Sequence, residues 1–435
     1  MKRLLLYRNR VLIFLFSLIV ITYLDRVCIS LVGVRIKAAF NLSNEQFGWV
    51  LAAFALAYAI FEIPSGMLGD RIGQKESFIR IVIWWSLFTA LTGATTGLIT
   101  LLCTRFLFGM GEAGAFPNSS AVISRWFPAA ETGRAGSSLL VGTNAGAAIA
   151  PLIIVPIAAN FGWRTPFFVI GLIGVLWVLV CIYWFRNEPS QMRGISKEEE
   201  SWIESNRKFI KNHQRLSLKQ SLNNSCLWSL VSAYFTNQFA FYFFVAWMPI
   251  YLQEGRHLTE SGMKNVTSVV YIFGILGALL SGFMNDRLAR LKTVLFSRRF
   301  IGCFSHTLAA ICFLVASRAA VNELAVCCLV AANFFIVINT VTCFTVCIDI
   351  AGNKAGTVVG MMNFCGQTGA FMVALTVGKT VQTTHNFDYA LTIISSVLFG
   401  GCLLWLVVDP RKQFCRFREL ADDSSSLPGK PSIQP

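Results

Sequence analysis

Long apolar runs alternate with short polar stretches along the whole chain. Twelve runs lie at about 11–33, 47–69, 78–97, 98–121, 135–159, 164–185, 227–252, 266–285, 300–317, 324–348, 356–380 and 388–408. Each run can cross a bilayer as a helix, for which about 20 residues suffice. The runs lack the alternation of barrel strands, and lipid admits only helices or closed barrels. The pattern therefore predicts an all-α integral membrane protein with twelve transmembrane helices, called segments 1 to 12 below.

A short polar pattern, Gly-x-x-x-Asp-Arg, closes an apolar run twice, and its two copies are 216 residues apart. Its residues are Gly66, Asp70 and Arg71 in the first copy and Gly282, Asp286 and Arg287 in the second. Each half of the chain thus carries the same element at the same membrane boundary. We predict two pseudo-symmetric six-helix bundles, an arrangement typical of transporters with a substrate site between the halves.

Polar composition places the boundaries of these bundles. We predict an N-terminal bundle over 1–185, a cytoplasmic linker over 186–226, a C-terminal bundle over 227–408 and a cytoplasmic tail over 409–435. Within the linker, Ser196 followed by Glu199 has the spacing of a capping box and predicts a short helix. The tail from Ala421 has the composition of disorder.

Charge placement indicates topology rather than nucleic-acid binding. The chain is 55% hydrophobic and 14% charged, with a net charge of +15. If the loops alternate sides, the side of both termini holds 28 of the 37 Lys and Arg residues and the other side holds 7. Cytoplasmic loops carry such an excess, so we expect both termini in the cytoplasm.

Four charged residues stand out inside the predicted segments, where charge is costly and therefore points to function. Asp25 and Arg26 lie on segment 1, and Arg105 and Glu112 lie two turns apart on one face of segment 4. An arginine matches a carboxylate with its planar fork, and an acid in an apolar site can exchange protons. Protonation of the acid in a pair such as Arg105 and Glu112 then frees the arginine for an anion. A static ion-pair network that braces the two helices is the structural alternative.

Glu62, on segment 2, is a fifth intramembrane charge. It lies one turn after Tyr58 on the same helix face. It is either an additional titratable group in the cavity or a residue that packs at a gate, and the sequence does not decide between the two.

Several motifs resemble the major facilitator superfamily and, within it, the anion:cation symporters. The resemblance covers nearly the whole chain and rests on YLDR at 23–26, GMLGDRIGQK at 66–75, RFLFGMGEAGAFP at 105–117, RWFPAAETGRA at 125–135, FGWRTPFF at 161–168, WMPIYL at 247–252, GFMNDRLAR at 282–290 and GTVVGMMNFCG at 356–366. Bacterial members of that kind import sugar acids and similar organic anions with protons. The resemblance therefore implies a major facilitator fold and a transporter, not an enzyme.

The resemblance also implies roles for individual residues. Proton coupling is expected at Asp25 and Glu112, and substrate binding at Arg26, Arg105, Tyr58, Asn363, Asn144 and Asn339. Asn363 has helix packing as an equally good explanation, because an amide among glycines can bond to a neighbouring helix. The cytoplasmic gate is expected at Gly66, Asp70, Arg71, Arg134, Asp286 and Arg287. The chain departs from relatives in having Glu62 where they have an amide, Cys28 where they often have Asn, and no proline in segment 11.

These features predict a secondary active transporter that imports an anionic organic solute with protons by alternating access. The alternative is a proton-coupled exporter, which the absence of a Gly-Pro step from GTNAGAAIAP on segment 5 disfavours. We expect a monomer in a bacterial-type inner membrane, with no cofactor, no metal and no nucleic-acid partner. The four histidines, at 213, 257, 306 and 385, are far apart in the sequence, and none has metal-ligand spacing to a partner.

Overall fold

The computed structural model describes residues 6–128, 130–207, 224–351 and 355–411, and this part of the chain is helical. In the first half the helices are α1 (Tyr7–Leu31), α2 (Gly33–Phe40), α3 (Asn44–Ile72), α4 (Gln74–Gly93), α5 (Leu98–Glu112), α6 (Ala115–Trp126), α7 (Thr132–Phe161) and α8 (Thr165–Tyr183). After α9 (Lys197–Asn206), the second half has α10 (Ser225–Ala246), α11 (Glu260–Leu291), α12 (Val294–Arg318), α13 (Asn322–Ala351), α14 (Ala355–Thr384) and α15 (Phe387–Trp405). The predicted disordered tail from 421 lies outside the described residues.

Ten spans among the described residues are long and apolar enough to cross a membrane. The segments predicted at 78–97 and 227–252 correspond to α4 and α10, which have 20 and 22 residues. Both pack among the other ten, α4 against α8 and α10 against α14. The twelve predicted crossings are therefore all helical. We call the side at which α1 begins the near face and the opposite side the far face.

Two predicted segments are interrupted where the sequence places a proline. Segment 4 is divided into α5 and α6 directly after Glu112, and Pro117 lies in the first turn of α6. Segment 7 ends as a regular helix at Ala246, and a turn with Pro249 leads into a π-helical turn over Tyr251–Gly255. Proline has no N–H to donate and clashes with the preceding turn, which favours a break at these two points. It does not break every helix, because α3 continues through Pro64 and α7 continues through Pro151 and Pro156.

Polar caps extend several helices beyond the apolar runs. Ser43 and Gln46 form a reciprocal capping box at the start of α3. Thr259 and Thr293 accept backbone hydrogen bonds at the starts of α11 and α12. Because such caps satisfy amides that the helix leaves free, the helices begin at the caps and not where apolarity begins.

The two halves meet along two helix pairs, α3 with α14 and α7 with α11. Near the far face, Gly48 of α3 lies against Gly378 of α14. A Cβ atom at Gly48 would be 2.8 Å from the Ala374 carbonyl oxygen, and one at Gly378 would be 2.8 Å from the Asn44 carbonyl oxygen. These glycines therefore allow the backbones of the two halves to approach closely, as small residues do between membrane helices.

The linker helix α9 is attached to the first half. Ser196 accepts a hydrogen bond from the Glu199 N–H, as the capping box predicts. The Glu199 carboxylate does not complete that box, because it accepts the N–H groups of Tyr7 and Arg8, each at 3.1 Å. It thus caps α1, where a negative charge at free helix amides is favourable. Arg8 also lies 4.2 Å above the Trp202 ring.

Candidate functional site

A cavity lies between the two halves and has about 740 Å³ of space not filled by protein atoms, its opening included. Its polar wall includes Arg26, Tyr58, Glu62 and Asn144 from the first half and Tyr234, Gln238, Tyr242, Asn363 and Gln367 from the second. Five of the predicted site residues therefore line one cavity. The other three charged residues of the predicted site, Asp25, Arg105 and Glu112, are buried in the first half and are not part of the wall.

Arg26 is the central cation of the wall. Its Nε donates to Glu112 Oε1 at 2.5 Å, and its Nη1 donates to Tyr242 Oη in the second half at 2.9 Å. The guanidinium also lies 4.6 Å from the Tyr58 ring centre and 5.0 Å from that of Tyr23. Aromatic faces attract a cation, and the attraction is stronger away from water. Arg26 is thus held by both halves while it faces the cavity.

Glu112 pairs with Arg26, and this corrects the pairing that the sequence spacing suggested. Among the described residues no ion pair or hydrogen bond joins Arg105 to Glu112, although the two lie two turns apart on α5. Arg105 instead places its guanidinium 4.4 Å from the Phe108 ring centre, and its buried Nε has no hydrogen-bond partner. The second carboxylate oxygen of Glu112 is also buried without a partner.

Asp25 lies next to Arg26 in sequence but belongs to a different contact. Its Oδ1 accepts from Thr89 Oγ1 on α4 at 2.8 Å. Its Oδ2 is buried and has no partner in the described part of the chain. A buried carboxyl group with one neutral hydrogen bond and one free oxygen is open to protonation, because burial disfavours the charged form.

Glu62 forms the second contact between the halves at the cavity. Its Oε1 accepts from Asn363 Nδ2 on α14 at 3.0 Å. Its Oε2 is buried without a partner. Three further side-chain oxygens in the wall are buried and unpartnered, those of Asn144, Gln238 and Gln367. The wall thus presents several hydrogen-bonding groups that no atom of the described residues satisfies.

Asn339 does not line the cavity, contrary to expectation. Asn339 points away from it, and its Nδ2 donates to Ser305 Oγ at 3.0 Å and contacts His306 Nδ1 at 2.6 Å. His306 in turn contacts Thr236 Oγ1 at 3.0 Å and accepts from Trp405 Nε1 at 3.2 Å. Asn339 is therefore part of a buried network inside the second half and not a cavity contact.

The two faces of the molecule differ in how the halves are joined. At the far face, Arg35 binds both carboxylate oxygens of Glu260 at 2.7 and 2.8 Å, and Lys37 binds Glu254 at 2.7 Å. At the near face, the predicted gate charges are exposed, and among the described residues no ion pair joins them; they are Asp70, Arg71, Arg134, Asp286 and Arg287. Gly66, in the first copy of the Gly-x-x-x-Asp-Arg pattern, lies against Pro117. A Cβ atom added at Gly66 would be 3.2 Å from the Pro117 side chain.

Sequence reasoning missed several uncharged members of the site. Tyr242, Thr89, Gln238 and Gln367 lie in apolar runs and carry no charge, so no sequence signal distinguishes them from packing residues. The one sequence feature that relates Tyr242 to the site is its position in segment 7, in the half opposite Arg26. Contacts between halves depend on packing that one sequence does not specify.

Comparison with known proteins reveals similar transporters along most of the chain. A probable sulfoacetate transporter of Cupriavidus necator is 28% identical over 394 residues, covering 90% of this chain and 91% of the relative. The hexuronate transporter of Bacillus subtilis is 29% identical, covering 87% and 89%. The D-galactonate transporter of Escherichia coli O6:H1 is 28% identical, covering 92% and 95%.

The fold has a solved counterpart. A bacterial homologue of the human lysosomal transporter Spinster, in an inward-facing and occupied conformation, superposes with a TM-score of 0.74 at 18% identity. The match covers 92% of this chain and 97% of that one. Residues 15–374 match the sequence profile of the Major Facilitator Superfamily. The chain is a multi-pass membrane protein that belongs to the Major Facilitator Superfamily.

Proposed function

We propose that this protein is a secondary active transporter, not an enzyme, that takes up a small organic anion together with protons. The observation that supports this most is Arg26, a buried guanidinium that faces the cavity between Glu112 of the first half and Tyr242 of the second. The similar proteins are a hexuronate transporter, a D-galactonate transporter and a probable sulfoacetate transporter, and their solutes belong to the same class.

The contacts of Arg26 provide a mechanism for coupling. When Glu112 is ionised it occupies the guanidinium, and a carboxylate substrate has to compete with it. Protonation of Glu112 removes this competitor, and the guanidinium can then form paired hydrogen bonds to the anionic group of the substrate. Proton binding and anion binding therefore favour each other, as linkage requires.

Asp25 is proposed as a second proton site. It bonds to Thr89 on α4, whereas Arg26, the next residue on α1, bonds to α5 and α10. A change in the charge of Asp25 therefore acts on the same turn of α1 that positions the substrate-binding arginine. Arg105 contributes positive charge next to these acids while it remains packed on Phe108.

The different contacts between the halves at the two faces are the basis on which we propose alternating access. The excess of Lys and Arg on the side of both termini supports a cytoplasmic near face, which we propose for a bacterial-type inner membrane. The ion pairs Arg35–Glu260 and Lys37–Glu254 then close the outer side, which makes the described conformation inward-facing. In the outward-facing conformation the gate charges, now exposed, pair across the cytoplasmic side. We propose a monomer, because both halves of the cavity come from one chain.

Uptake into proteoliposomes tests this function. Purified protein is reconstituted, and labelled D-galactonate or D-glucuronate is added with the outside more acidic than the inside. We expect accumulation above the external concentration with the gradient and simple equilibration without it. The proposal fails if no carboxylate or sulfonate in such a panel enters faster than into empty liposomes.

A further inference from the structure

Glu62 is a charge in the cavity wall that the coupling mechanism does not use. It is 4% exposed, and its Oε2 has no hydrogen-bond partner in the described part of the chain. Its Oε1 is bound by the Asn363 amide of the opposite half. A buried polar oxygen without a partner is rare in proteins and calls for an explanation, and a ligand donor in the cavity is one.

Because of the charges in the wall, Glu62 determines which substrate charge the cavity accepts. Among the described residues that line the cavity, Arg26 is the only cationic side chain and Glu62 is the only carboxylic acid. One guanidinium can neutralise one anionic group of a ligand. A second anionic group has no cation in the wall and meets the carboxylate of Glu62 instead.

The two charges lie about one helical turn apart along α3, a placement that suits a small extended acid. The Arg26 guanidinium lies on the ring of Tyr58, at 4.6 Å. Glu62 follows Tyr58 by four residues on α3, which is a rise of about 6 Å along the helix axis. An acid of sugar size that places its carboxylate on Arg26 therefore directs its other end toward Glu62.

We propose that Glu62 makes this cavity selective for hydroxylated monoanions and excludes dianions of the same carbon skeleton. This inference rests on the proposed function and adds the charge class of the substrate. In its ionised form Glu62 accepts a hydrogen bond from a terminal hydroxyl at its free Oε2 and repels a terminal carboxylate, and protonation of Glu62 at lower pH removes the repulsion. Repulsion between like charges is stronger in a buried site than in water, so the discrimination is large.

Competition between matched acids tests the selectivity. D-galactonate and galactarate differ only in a terminal hydroxymethyl or carboxylate group, and D-gluconate and D-glucarate form a second such pair. Each acid is titrated against counterflow of labelled D-galactonate in proteoliposomes. We expect the wild-type protein to bind the monoanion of each pair at least about tenfold more tightly than the dianion.

Three variants assign the effect to Glu62. Glu62→Gln keeps the size and the hydrogen bond from Asn363 but removes the charge, and it should bring the ratio of monoanion to dianion affinity close to one. Glu62→Asp keeps the charge and should keep the preference for the monoanion. Glu45→Gln removes an exposed carboxylate from the same helix, α3, and should leave the ratio unchanged.

The outcomes separate this inference from the function on which it rests. Equal affinity of the wild type for the two members of a pair contradicts the inference, and so does an unchanged ratio in Glu62→Gln. In both cases anion transport itself still stands. If none of the four acids competes and no carboxylate or sulfonate of the wider panel is transported, the proposed function falls and the inference with it.

Discussion

The two halves of this protein share a repeated architecture but have different polar clusters in their interiors. In the first half Asp25, Arg105 and Glu112 each keep a buried polar atom without a partner. In the second half both ring nitrogens of His306 have partners, Thr236 on one side and Asn339 and Trp405 on the other. Because fully satisfied networks rigidify a core and unsatisfied ones are open to other partners, we assign function to the first cluster and structure to the second.

The geometry also fixes the form of His306. The N–H of Trp405 points at Nδ1, so Nδ1 is an acceptor and Nε2 carries the hydrogen that Thr236 Oγ1 accepts. A neutral imidazole therefore joins α10, α12, α13 and α15 with neutral bonds only. The first half, in contrast, uses an ion pair, and one of its members faces the cavity.

Removal of an acid from the first cluster should have the largest effect. Glu112→Gln and Asp25→Asn cannot take up the coupled proton, so we expect uptake driven by a proton gradient to fall to simple equilibration. Counterflow, which exchanges labelled for unlabelled substrate without net proton movement, should persist. The matched variant in the second half, His306→Gln, should still accumulate substrate. If Glu112→Gln and Asp25→Asn both accumulate substrate like the wild type, the division between the clusters is wrong.

The two arginines should differ, although both lie in the charged cluster. Arg26→Lys keeps the charge but loses the planar fork that forms paired hydrogen bonds to the substrate carboxylate, and loss of such buried charged hydrogen bonding costs at least about 2 kcal/mol, or roughly 30-fold in substrate affinity. Arg105→Lys keeps the positive charge and loses no hydrogen bond within the described residues. The affinity of this variant for substrate should therefore fall by less. Binding measured by isothermal titration compares the two directly. A larger loss for Arg105→Lys would show that Arg105 is the main anion-binding residue.

Disruption of the second cluster should lower stability without changing coupling. His306→Leu leaves the N–H of Trp405 buried and unsatisfied and removes one of the contacts of Asn339, at a cost of about 1–3 kcal/mol. A lower unfolding temperature in detergent is the expected sign, and Thr236→Val, which removes one bond, should shift it less. The ratio of protons to substrate should stay at the wild-type value in any folded variant. A changed ratio would mean that the second half takes part in proton coupling.

The smallest effect is expected where the second half contacts the charged cluster. Tyr242→Phe removes one hydrogen bond to Arg26 and keeps the ring, so substrate affinity should fall by about two- to tenfold. The proton ratio should not change, since Glu112 still holds Arg26. Phe241→Leu, at a neighbouring wall position without a hydroxyl, is a control for packing alone. Loss of coupling in Tyr242→Phe would contradict the assignment of coupling to the first half.

Apolarity along the sequence predicted the helices, but it did not predict their interruptions. The runs at 98–121 and 227–252 remain apolar across Pro117 and Pro249, where the helices break. For Arg26 and Glu62, the energetic cost of placing a charge in lipid was a sufficient signal. These two charged residues meet Tyr58 and Asn363 at one cavity. The partner of Glu112 was not predictable from the sequence. Its spacing on one helix face suggested an ion pair with Arg105, whereas the packing of the helices pairs it with Arg26.

Proton movement driven by substrate alone tests the central claim most directly. Proteoliposomes with a trapped pH indicator are clamped at zero membrane potential, and D-galactonate is added outside without a pH gradient. We expect the interior of wild-type liposomes to acidify, the same acidification per substrate molecule in folded His306→Gln, and none in Glu112→Gln. Acidification in Glu112→Gln equal to that of the wild type, with substrate entry, would contradict the claim that the first-half cluster couples the anion to protons.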